Sequence, residues 1–498
     1  MGTPFSKARR NIRIQCTNKI MNLIEKAKEI YSKSNIEQIQ AEGIRRESIK
    51  VSSHSHHIVT YPPLDALPDI KPSKIYSSNI SKNPRDIALY LHLPFCTGKC
   101  SYCAYVSYAN QSESFIDRYI DALEKEINLL LRYPILQNVK LSSVYIGGGT
   151  PTYLSSKQLN GVFSLLRDHF SIKKRAEITV EASPETIVAK DGLGKLETLL
   201  QNGANRLSIG VQTFNDNILK LIYRRHNSLQ AIQAFNAANQ IGFKNINLDL
   251  ILGLPYQSLE YWQNDLEKIA EIDPPSVTCY PLSIKQTAAI WTMYQKEENR
   301  FPSRENVILM HIMANEFLGN LGYFQKPVWW YSKSLKYFYK QQIYKWGELG
   351  EQLALGVSGY SFINSFQYFN YRTISQYMES LNKNILPIFK GEKLSKKELM
   401  RRMIIFGLKT GLNKYLFELK FNKKPKQIFN SIWKKLENLE LIEENSELIQ
   451  LSYKGKLFAD EVSKEFYSKK SNTLIKYQNF VFDSLYSTQT FQANAYSA

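Results

Sequence analysis

The sequence predicts an α/β fold in which about six parallel βα units form a barrel or part-barrel. The first observation is a series of β-rich runs, which lie at 87–93, 141–147, 176–182, 206–212, 246–252 and 276–282. The second is the helical spacing of apolar residues between these runs, as in ESFIDRYIDALEKEINLLLR. Strands that alternate with helices favour a parallel sheet, although an open doubly wound sheet would show the same alternation.

Residues that carry chemistry follow several of the predicted strands. A cysteine cluster comes after the first run, GGGTP after the second, Glu181 ends the third and Gln212 ends the fourth. In a parallel barrel the carboxyl ends of the strands meet at one face, and catalytic residues of such barrels lie there. We therefore expect these residues to share one site.

The chain of 498 residues is too long for one hydrophobic core, so we expect several units. Residues 1–80 predict a polar N-terminal extension that ends in a Pro-rich linker, and 81–300 predict the barrel. An aromatic-rich extension at 301–385 is expected to complete the barrel and the substrate pocket. Three helices and a strand at 386–470 predict a winged-helix-like unit, and 471–498 form a tail.

The composition is that of a globular protein, with 64 Lys and Arg against 45 Asp and Glu. The net charge of +19 allows nucleic acid, an anionic membrane or an acidic small molecule as a partner. We do not expect nucleic acid, because a basic face such as that of Lys423, Lys424, Lys426, Lys434 and Lys435 is usually only solvated. No apolar run approaches the ~20 residues of a membrane span.

Three of the five cysteines, Cys96, Cys100 and Cys103, lie within the stretch LYLHLPFCTGKCSYCAY. Structural zinc usually takes four ligands, and no fourth ligand lies close in the sequence. Three thiolates on one loop instead suit a [4Fe-4S] cluster whose fourth iron keeps an open position. The other cysteines, Cys16 and Cys279, are isolated, so we predict no disulfide framework and expect the reducing cytoplasm as compartment.

Further residues near strand ends are candidate ligand contacts. The glycine triplet at 147–149 allows either a close approach of the backbone to a ligand or a tight βα turn. Glu181 could hold a cationic or hydroxyl group. Gln212 and Arg224 offer an amide and a guanidinium for hydroxyl and carboxylate groups. Asp249 lies in an apolar strand, where a carboxylate needs a partner or a ligand.

The spacing C-x3-C-x2-C after a β-strand resembles that of the radical S-adenosylmethionine (SAM) superfamily. Further motifs follow in order: YIGGGTPTYL (145–154), EASPETI (181–187), NRLSIGVQTFND (205–216), RRH (224–226) and NLDLILGLP (247–255). Together with the C-terminal unit they resemble the oxygen-independent coproporphyrinogen III oxidase-like (HemN-like) family. On this resemblance, which covers about residues 87–470, the chain is identified as a member of that family.

The resemblance implies a [4Fe-4S] cluster on the three cysteines, with SAM at its open iron, and a C-terminal HemN-type domain. An external one-electron donor such as flavodoxin or ferredoxin would drive cleavage of SAM to a 5′-deoxyadenosyl radical. Family members can hold two SAM molecules. The positions that align with SAM contacts are Tyr90, Gly148, Gly149, Thr150, Glu181, Gln212, Arg224 and Asp249, and Tyr102 aligns with an aromatic residue beside the adenine.

Two positions depart from the best-known branches of the family. The porphyrinogen decarboxylases carry a further cysteine where this chain has Tyr105, and the haem chaperones follow their third cysteine with Asp and Phe instead of Ala104 and Tyr105. The leading hypothesis is therefore radical C-methylation or alkyl transfer of class C type. Coproporphyrinogen III oxidation and haem carriage are the alternatives. We expect a small-molecule substrate with carboxylates or an extended π system, such as a tetrapyrrole or a natural-product intermediate.

Overall fold

A twelve-stranded mixed sheet is the largest element of the structure, a computed structural model that describes residues 23–44, 58–76 and 85–471. Predictions that fall on residues 1–22, 45–57, 77–84 and 472–498 lie outside the described residues, and these include the C-terminal tail and Cys16.

The first part of the described chain alternates strands and helices. In chain order its elements are α1 (Leu23–Lys33), α2 (Ile36–Ala41), α3 (Pro72–Ile75), β1 (Arg85–Leu93), β2 (Phe95–Cys96), β3 (Tyr108–Ala109), α4 (Glu113–Leu130), α5 (Pro134–Gln137), β4 (Val139–Gly148), α6 (Ser156–His169), β5 (Ser171–Ala182), α7 (Pro184–Ile187), α8 (Gly192–Gln201), β6 (Arg206–Gln212), α9 (Asp216–Leu221), α10 (Ser228–Ile241), β7 (Ile246–Leu252), α11 (Leu259–Ile272) and β8 (Ser276–Pro281).

The second part adds short strands and the C-terminal helices. Its elements are α12 (Ile290–Lys296), α13 (Arg304–Asn320), β9 (Phe324–Gln325), β10 (Trp330–Ser332), α14 (Lys340–Gly347), β11 (Gln352–Leu355), β12 (Tyr360–Ile363), β13 (Phe366–Asn370), α15 (Ile374–Asn382), β14 (Ile388–Lys393), α16 (Lys396–Thr410), β15 (Leu412–Asn413), α17 (Lys414–Phe421), α18 (Asn430–Asn438), β16 (Ile442–Glu444), β17 (Leu448–Leu451), α19 (Tyr453–Leu457) and α20 (Ala459–Lys464).

The order of strands in the large sheet confirms the predicted part-barrel. The order is β14-β13-β12-β11-β1-β4-β5-β6-β7-β8-β10-β9. The six predicted strands, β1 and β4 to β8, are consecutive parallel neighbours, and β11 adds a seventh parallel strand beside β1. Antiparallel strands end the row on both sides, so the barrel stays open between β14 and β9.

The strands form where apolar residues can be buried on both faces, as parallel sheets require. In β1, for example, Ile87, Ala88 and Leu89 are consecutive and all fully buried. Strands β6 and β7 match the predicted runs residue for residue. Strand β5 begins five residues before its predicted run, because the largely exposed segment 171–175 also follows the edge of β4, a pairing that hydrophobic alternation does not signal.

The described part of the N-terminal extension is packed into the fold and is more than a polar linker. Helix α1 lies against α13, and Ala27, Ile36 and Ile39 are buried in the common core. Residues 58–76, here called the N-terminal strap, pass over the C-terminal unit, and Val59 reaches the wall of the large cavity. The charged residues and prolines of this region led to the prediction of a polar linker, although its apolar residues are about as frequent as in the whole chain.

The strap is tied to the C-terminal unit by buried charged groups. Lys409 forms an ion pair with Asp460, and the same carboxylate accepts a 3.1 Å hydrogen bond from the backbone N–H of Ile58. The guanidinium of Arg402 donates to the backbone carbonyl of Tyr61, whose hydroxyl donates to another side chain of the same unit, Glu398, at 2.5 Å. Burial lowers the pKa of Lys409, although Asp460 opposes this effect.

We expect Asp460→Ala to destabilise the protein by about 3–5 kcal/mol, since it leaves the buried Lys409 ammonium without its carboxylate. Urea unfolding followed by circular dichroism measures the loss. Glu379→Ala is the matched control, because Glu379 pairs with Lys383 at the surface, where solvent screens the pair and its loss costs little stability. Equal losses for the two variants would contradict the structural role of the buried pair.

The C-terminal unit departs from the predicted pattern of three helices and a strand. After α16, α17 and α18, strands β16 and β17 form a hairpin that β15 extends to a three-stranded sheet, and two short helices follow. Strand β14, within the range 386–470 predicted for this unit, pairs with β13 of the large sheet instead.

Ion pairs within the unit engage part of its predicted basic face. Lys426 pairs with Glu437 and Glu444, and Lys435 pairs with Glu465. Two of the five lysines are therefore already partly neutralised by neighbouring carboxylates.

Among the described residues, no helix is both long enough and apolar enough to cross a membrane.

Candidate functional site

One cavity of about 420 Å³ lies at the carboxyl ends of the parallel strands and extends to helix α14. Its wall includes every sequence-predicted site residue. These are Tyr90, Cys96, Cys100, Tyr102, Cys103, Gly148, Gly149, Thr150, Glu181, Gln212, Arg224 and Asp249. The structure thus brings the predicted contacts together, as expected for residues at the same ends of neighbouring parallel strands.

The three cysteines belong to the loop that follows β1. Cys96 lies on the two-residue strand β2, which pairs with β3 and holds the loop in a closed turn. The hydroxyl of Thr150 lies 3.7 Å from Cys96 Sγ, and the guanidinium of Arg224 lies 3.5 Å from Cys100 Sγ. Burial raises the pKa of the Cys96 thiol to about 11, although the Thr150 hydroxyl opposes this effect.

The donor set fits an iron–sulfur cluster better than a single metal ion. No three His, Cys, Asp or Glu side chains of the described ranges are close enough to hold one ion. The three thiols are half-buried and line the same cavity without converging on one point. In a [4Fe-4S] cluster each thiolate takes a different iron, so separated thiolates suit it, whereas tetrahedral zinc needs converging ligands.

The glycines after β4 permit a close approach to the cysteine loop. A Cβ on Gly149 would lie 2.6 Å from the backbone oxygen of Phe95 and 2.7 Å from that of Leu93. Gly148 has φ of +103°, and a Cβ there would lie 2.4 Å from the His92 ring. The sequence predicted that a glycine here lets the backbone come close to a ligand. At Gly149 the backbone instead comes close to the start of the cysteine loop.

Glu181 lies at the centre of a network on the cavity wall. Its carboxylate accepts hydrogen bonds from the Tyr145 hydroxyl at 2.5 Å and from the Gly148 N–H at 3.0 Å. Burial raises the pKa of Glu181 to about 7, although both hydrogen bonds oppose this effect. The Tyr90 ring stacks on Tyr145 with centroids 6.0 Å apart, because the two residues are register partners on β1 and β4.

Gln212 and Arg224 also line the cavity wall. Gln212 has φ of +71°, a left-handed conformation that costs a non-glycine residue free energy and often marks functional sites. Arg224 donates to the hydroxyl of Ser183 at 2.7 Å and to the carbonyl of Gly210 at 2.5 Å. These contacts fix the guanidinium between the carboxyl ends of β5 and β6 and the Cys100 thiol.

Asp249 has hydrogen-bond donors beside its carboxylate, as expected for an acidic residue in an apolar strand. Its carboxylate accepts hydrogen bonds from the hydroxyl of Ser208 at 2.9 Å and from the amide of Asn247 at 2.8 Å. Burial raises its pKa, although these donors oppose the effect. The carboxylate still reaches the cavity, so a structural partner and a ligand are both compatible with it.

Sequence reasoning missed much of the aromatic and polar end of the cavity. The residues there are Tyr145, Tyr280, Trp329, Trp330, Tyr339, Gln341, Gln342, Lys345, Trp346 and Tyr360. Tyr145 could have been found, because it belongs to the glycine motif and is the direct neighbour of Tyr90 across the pair of strands β1 and β4. Tyr280 lies on β8, within a predicted strand. The remaining residues lie on or next to α14 and the short strands after residue 300, where neither periodicity nor a motif indicated which side chains face inward.

The pH dependence of SAM binding tests the assignment of Glu181. If the carboxylate accepts a hydrogen bond from SAM or faces its sulfonium, the ionised form binds SAM better. We therefore expect the dissociation constant to rise as pH falls through about 7, by about tenfold per pH unit well below the pKa. Equilibrium binding to the reconstituted protein between pH 6 and 8 measures it, and Glu181→Gln should flatten the profile. If the dissociation constant of this variant depends on pH as steeply as that of the wild type, Glu181 does not contact SAM.

Comparisons with known proteins agree with this geometry. The family model "Radical SAM superfamily" matches residues 90–269, and "HemN C-terminal domain" matches residues 394–458. The chain is 31% identical to "Heme chaperone HemW" of Buchnera aphidicola subsp. Schizaphis graminum over 76% of this chain and 98% of that protein. It is 29% identical to "Oxygen-independent coproporphyrinogen III oxidase" of Escherichia coli over 65% of this chain and 72% of that protein.

A solved structure shows the same fold. It is described as "Coproporphyrinogen III oxidase (HemN) from Escherichia coli is a Radical SAM enzyme", and it matches with a TM-score of 0.67 and 27% identity, over 77% of this chain and 90% of that chain.

A three-cysteine loop at the carboxyl ends of a parallel part-barrel defines a radical SAM protein, a class that uses a [4Fe-4S] cluster and SAM. Within that class, the chain belongs to the oxygen-independent coproporphyrinogen III oxidase-like (HemN-like) family.

Proposed function

We propose that the chain is a radical SAM enzyme that oxidatively decarboxylates propionate groups of a tetrapyrrole such as coproporphyrinogen III. The observation that carries this proposal is the single cavity that joins the cysteine loop to an aromatic end with a buried lysine, Lys345. Its volume of about 420 Å³ is within the range of ligand pockets, which is roughly 300–1,000 Å³. The substrate class comes from the names of the relatives.

The proposed roles of the site residues follow from their contacts. Cys96, Cys100 and Cys103 would hold a [4Fe-4S] cluster, which would supply the electron for reductive cleavage of SAM to a 5′-deoxyadenosyl radical. Arg224 donates to Cys100 Sγ at 3.5 Å and so positions that cysteine in the loop. Glu181 and Gln212 orient the polar groups of SAM, and the surrounding aromatic residues exclude water. An external donor of the flavodoxin or ferredoxin class delivers the electron.

The proposed reaction balances for each propionate. A hydrogen atom passes from the substrate to the deoxyadenosyl radical, which becomes 5′-deoxyadenosine. The bond to the carboxylate then breaks, which gives CO2 and a vinyl group, and one electron leaves to an external one-electron acceptor. Tyr105, which stands where the porphyrinogen decarboxylases of the family carry a further cysteine, lines the cavity and is 61% exposed.

The test is an anaerobic assay of the reconstituted protein with SAM, dithionite and coproporphyrinogen III. We expect 5′-deoxyadenosine, methionine and a product that has lost CO2, all detected by mass spectrometry. S-adenosylhomocysteine together with a methylated product would instead support the methyl transfer that the sequence suggested. The relatives give that reaction no support. SAM cleavage without any change in the porphyrinogen would overturn the proposed substrate.

Haem carriage is a second candidate, because the chain spans 98% of a relative named as a haem chaperone. Haem held in the cavity by iron ligation would have to use a cysteine or a tyrosine of its wall. Within the described part of the chain its wall contains no His and no Met, which are common ligands of haem iron. Stoichiometric haem binding without SAM cleavage would favour this candidate over the enzyme.

A further inference from the structure

We infer that helix α14 carries a carboxylate-binding subsite at the end of the cavity away from the cysteines, formed by Lys345 and Trp346 with Gln342 beside them. This inference rests on the proposed function and names how a substrate acid group is held there. Neither the motifs nor the family resemblance pointed to these residues.

Lys345 is a buried cation in the cavity wall that lacks a carboxylate partner. The residue is 6% exposed, and among the described ranges no Asp or Glu forms an ion pair with it. Its Nζ donates one hydrogen bond, at 3.0 Å, to the Tyr360 hydroxyl, and it lies 5.2 Å from the centroid of that ring. An ammonium has three donors, and burying it without an anion is costly, so an acidic ligand group would compensate it.

Trp346, the next residue along α14, supplies a second donor in the same cavity wall. The residue is 1% exposed, and its Nε1–H is buried without a hydrogen-bond partner in the described part of the chain. Buried indole N–H groups usually have a partner, so an unpartnered one in a cavity wall indicates a ligand acceptor. A carboxylate can accept from the indole and the ammonium at the same time, because it has two oxygens with several lone pairs.

The surroundings fix the Trp346 ring in place. The ring stacks on Phe406 at a centroid distance of 5.6 Å and an angle of 13°, and it meets Trp330 edge-on at 5.9 Å. Lys409 lies 5.1 Å from the same ring on α16. A rigid donor costs little entropy on binding, so this subsite is preorganised for an anion.

The start of α14 is anchored inside the barrel by another carboxylate. Glu177 on β5 accepts hydrogen bonds from the backbone N–H groups of Lys340 and Gln341, at 3.1 Å and 3.3 Å. The helix therefore has a fixed position across the sheet. Between Lys345 and the glycine motif the cavity wall carries Tyr360, Tyr90 and Tyr145, whose successive ring centroids are 5.9 Å and 6.0 Å apart. A flat apolar body fits this aromatic wall while one of its acid groups reaches Lys345.

The test uses coproporphyrin III, a stable tetracarboxylic porphyrin, and its tetramethyl ester, with binding to the reconstituted protein measured by fluorescence. We expect the wild-type protein to bind the acid more tightly than the ester. Lys345→Met should weaken acid binding by about tenfold or more and leave ester binding unchanged. Trp346→Phe keeps the stacked ring and should weaken acid binding by a smaller factor. Lys434→Met, at an exposed lysine on α18, is the matched control.

The outcomes separate the subsite from the proposed function. Acid binding by Lys345→Met equal to that of wild type would overturn the subsite and leave the proposed reaction standing. Failure of the wild-type protein to bind either porphyrin would overturn both. If Lys345→Met instead weakens binding of SAM and spares the porphyrin, the lysine holds the SAM carboxylate and the inference is wrong. Retained 5′-deoxyadenosine formation in the variants, with unchanged thermal stability, would show that they are folded.

Discussion

Replacement of Cys100 by alanine is expected to abolish formation of 5′-deoxyadenosine from SAM, with a loss of at least about 1,000-fold under anaerobic, reducing conditions. The reason is that a cluster needs a thiolate for each of its three protein-bound irons, and Cys100 is also the thiol that Arg224 approaches at 3.5 Å. Iron and sulfide content, the visible absorbance of the reconstituted protein and the deoxyadenosine yield measure the effect.

Cys279→Ala is the matched control for this experiment. Cys279 lies on β8, is fully buried and does not line the cavity, so its loss removes a thiol without touching the site. We expect this variant to retain its cluster and its SAM cleavage. A cluster that survives Cys100→Ala with full activity would contradict the assignment of the three cysteines as its ligands.

The second large effect is expected for Gly149→Ala. The added Cβ would lie 2.6 Å from the backbone oxygen of Phe95 in the cysteine loop and 2.7 Å from that of Leu93 at the end of β1, and backbone cannot move aside as a flexible side chain can. The loop must therefore shift, and displacements of about 1 Å in a catalytic site cost on the order of 100-fold in rate. Deoxyadenosine formation per reconstituted cluster is the quantity to measure.

Gly161→Ala provides the comparison for Gly149→Ala. Gly161 lies in helix α6, and a Cβ there meets no atom within 4 Å. Alanine is a better helix former than glycine, so we expect unchanged activity and a small gain in stability of about 0.5–1 kcal/mol. Equal activity of the two variants would show that the contact between the glycine motif and the cysteine loop is unimportant for SAM cleavage.

The parallel core was predictable because its signals are local. Burial on both faces requires continuous apolar runs, and β6 and β7 therefore begin and end where the sequence indicates. The cysteine loop was equally predictable, since three cysteines in a cysteine-poor chain have few roles. The polar residues at strand ends followed from one rule of parallel barrels.

The remaining features depend on contacts between distant parts of the chain. The pairing of β11 with β1 joins residues about 265 positions apart, and no local pattern in either strand indicates its partner. Lys345 reads as one of many lysines in the sequence, and only its burial beside Tyr360 distinguishes it. Arg402 is similar, since its backbone acceptor on Tyr61 is 341 residues away. Such contacts require the three-dimensional fold.

The N-terminal strap also sets an order in time for the newly made chain. The hydrogen bond between Ile58 and Asp460 joins residues 402 positions apart, so it forms only after nearly the whole protein has been synthesised. At typical translation rates of about 5–20 residues per second, this delay is roughly 20–80 s. Val59 belongs to the cavity wall, so one side of the cavity remains unfinished throughout this interval. During synthesis there is thus a stage in which the cysteine loop has been made but the strap around Val59 is not yet fixed over the cavity.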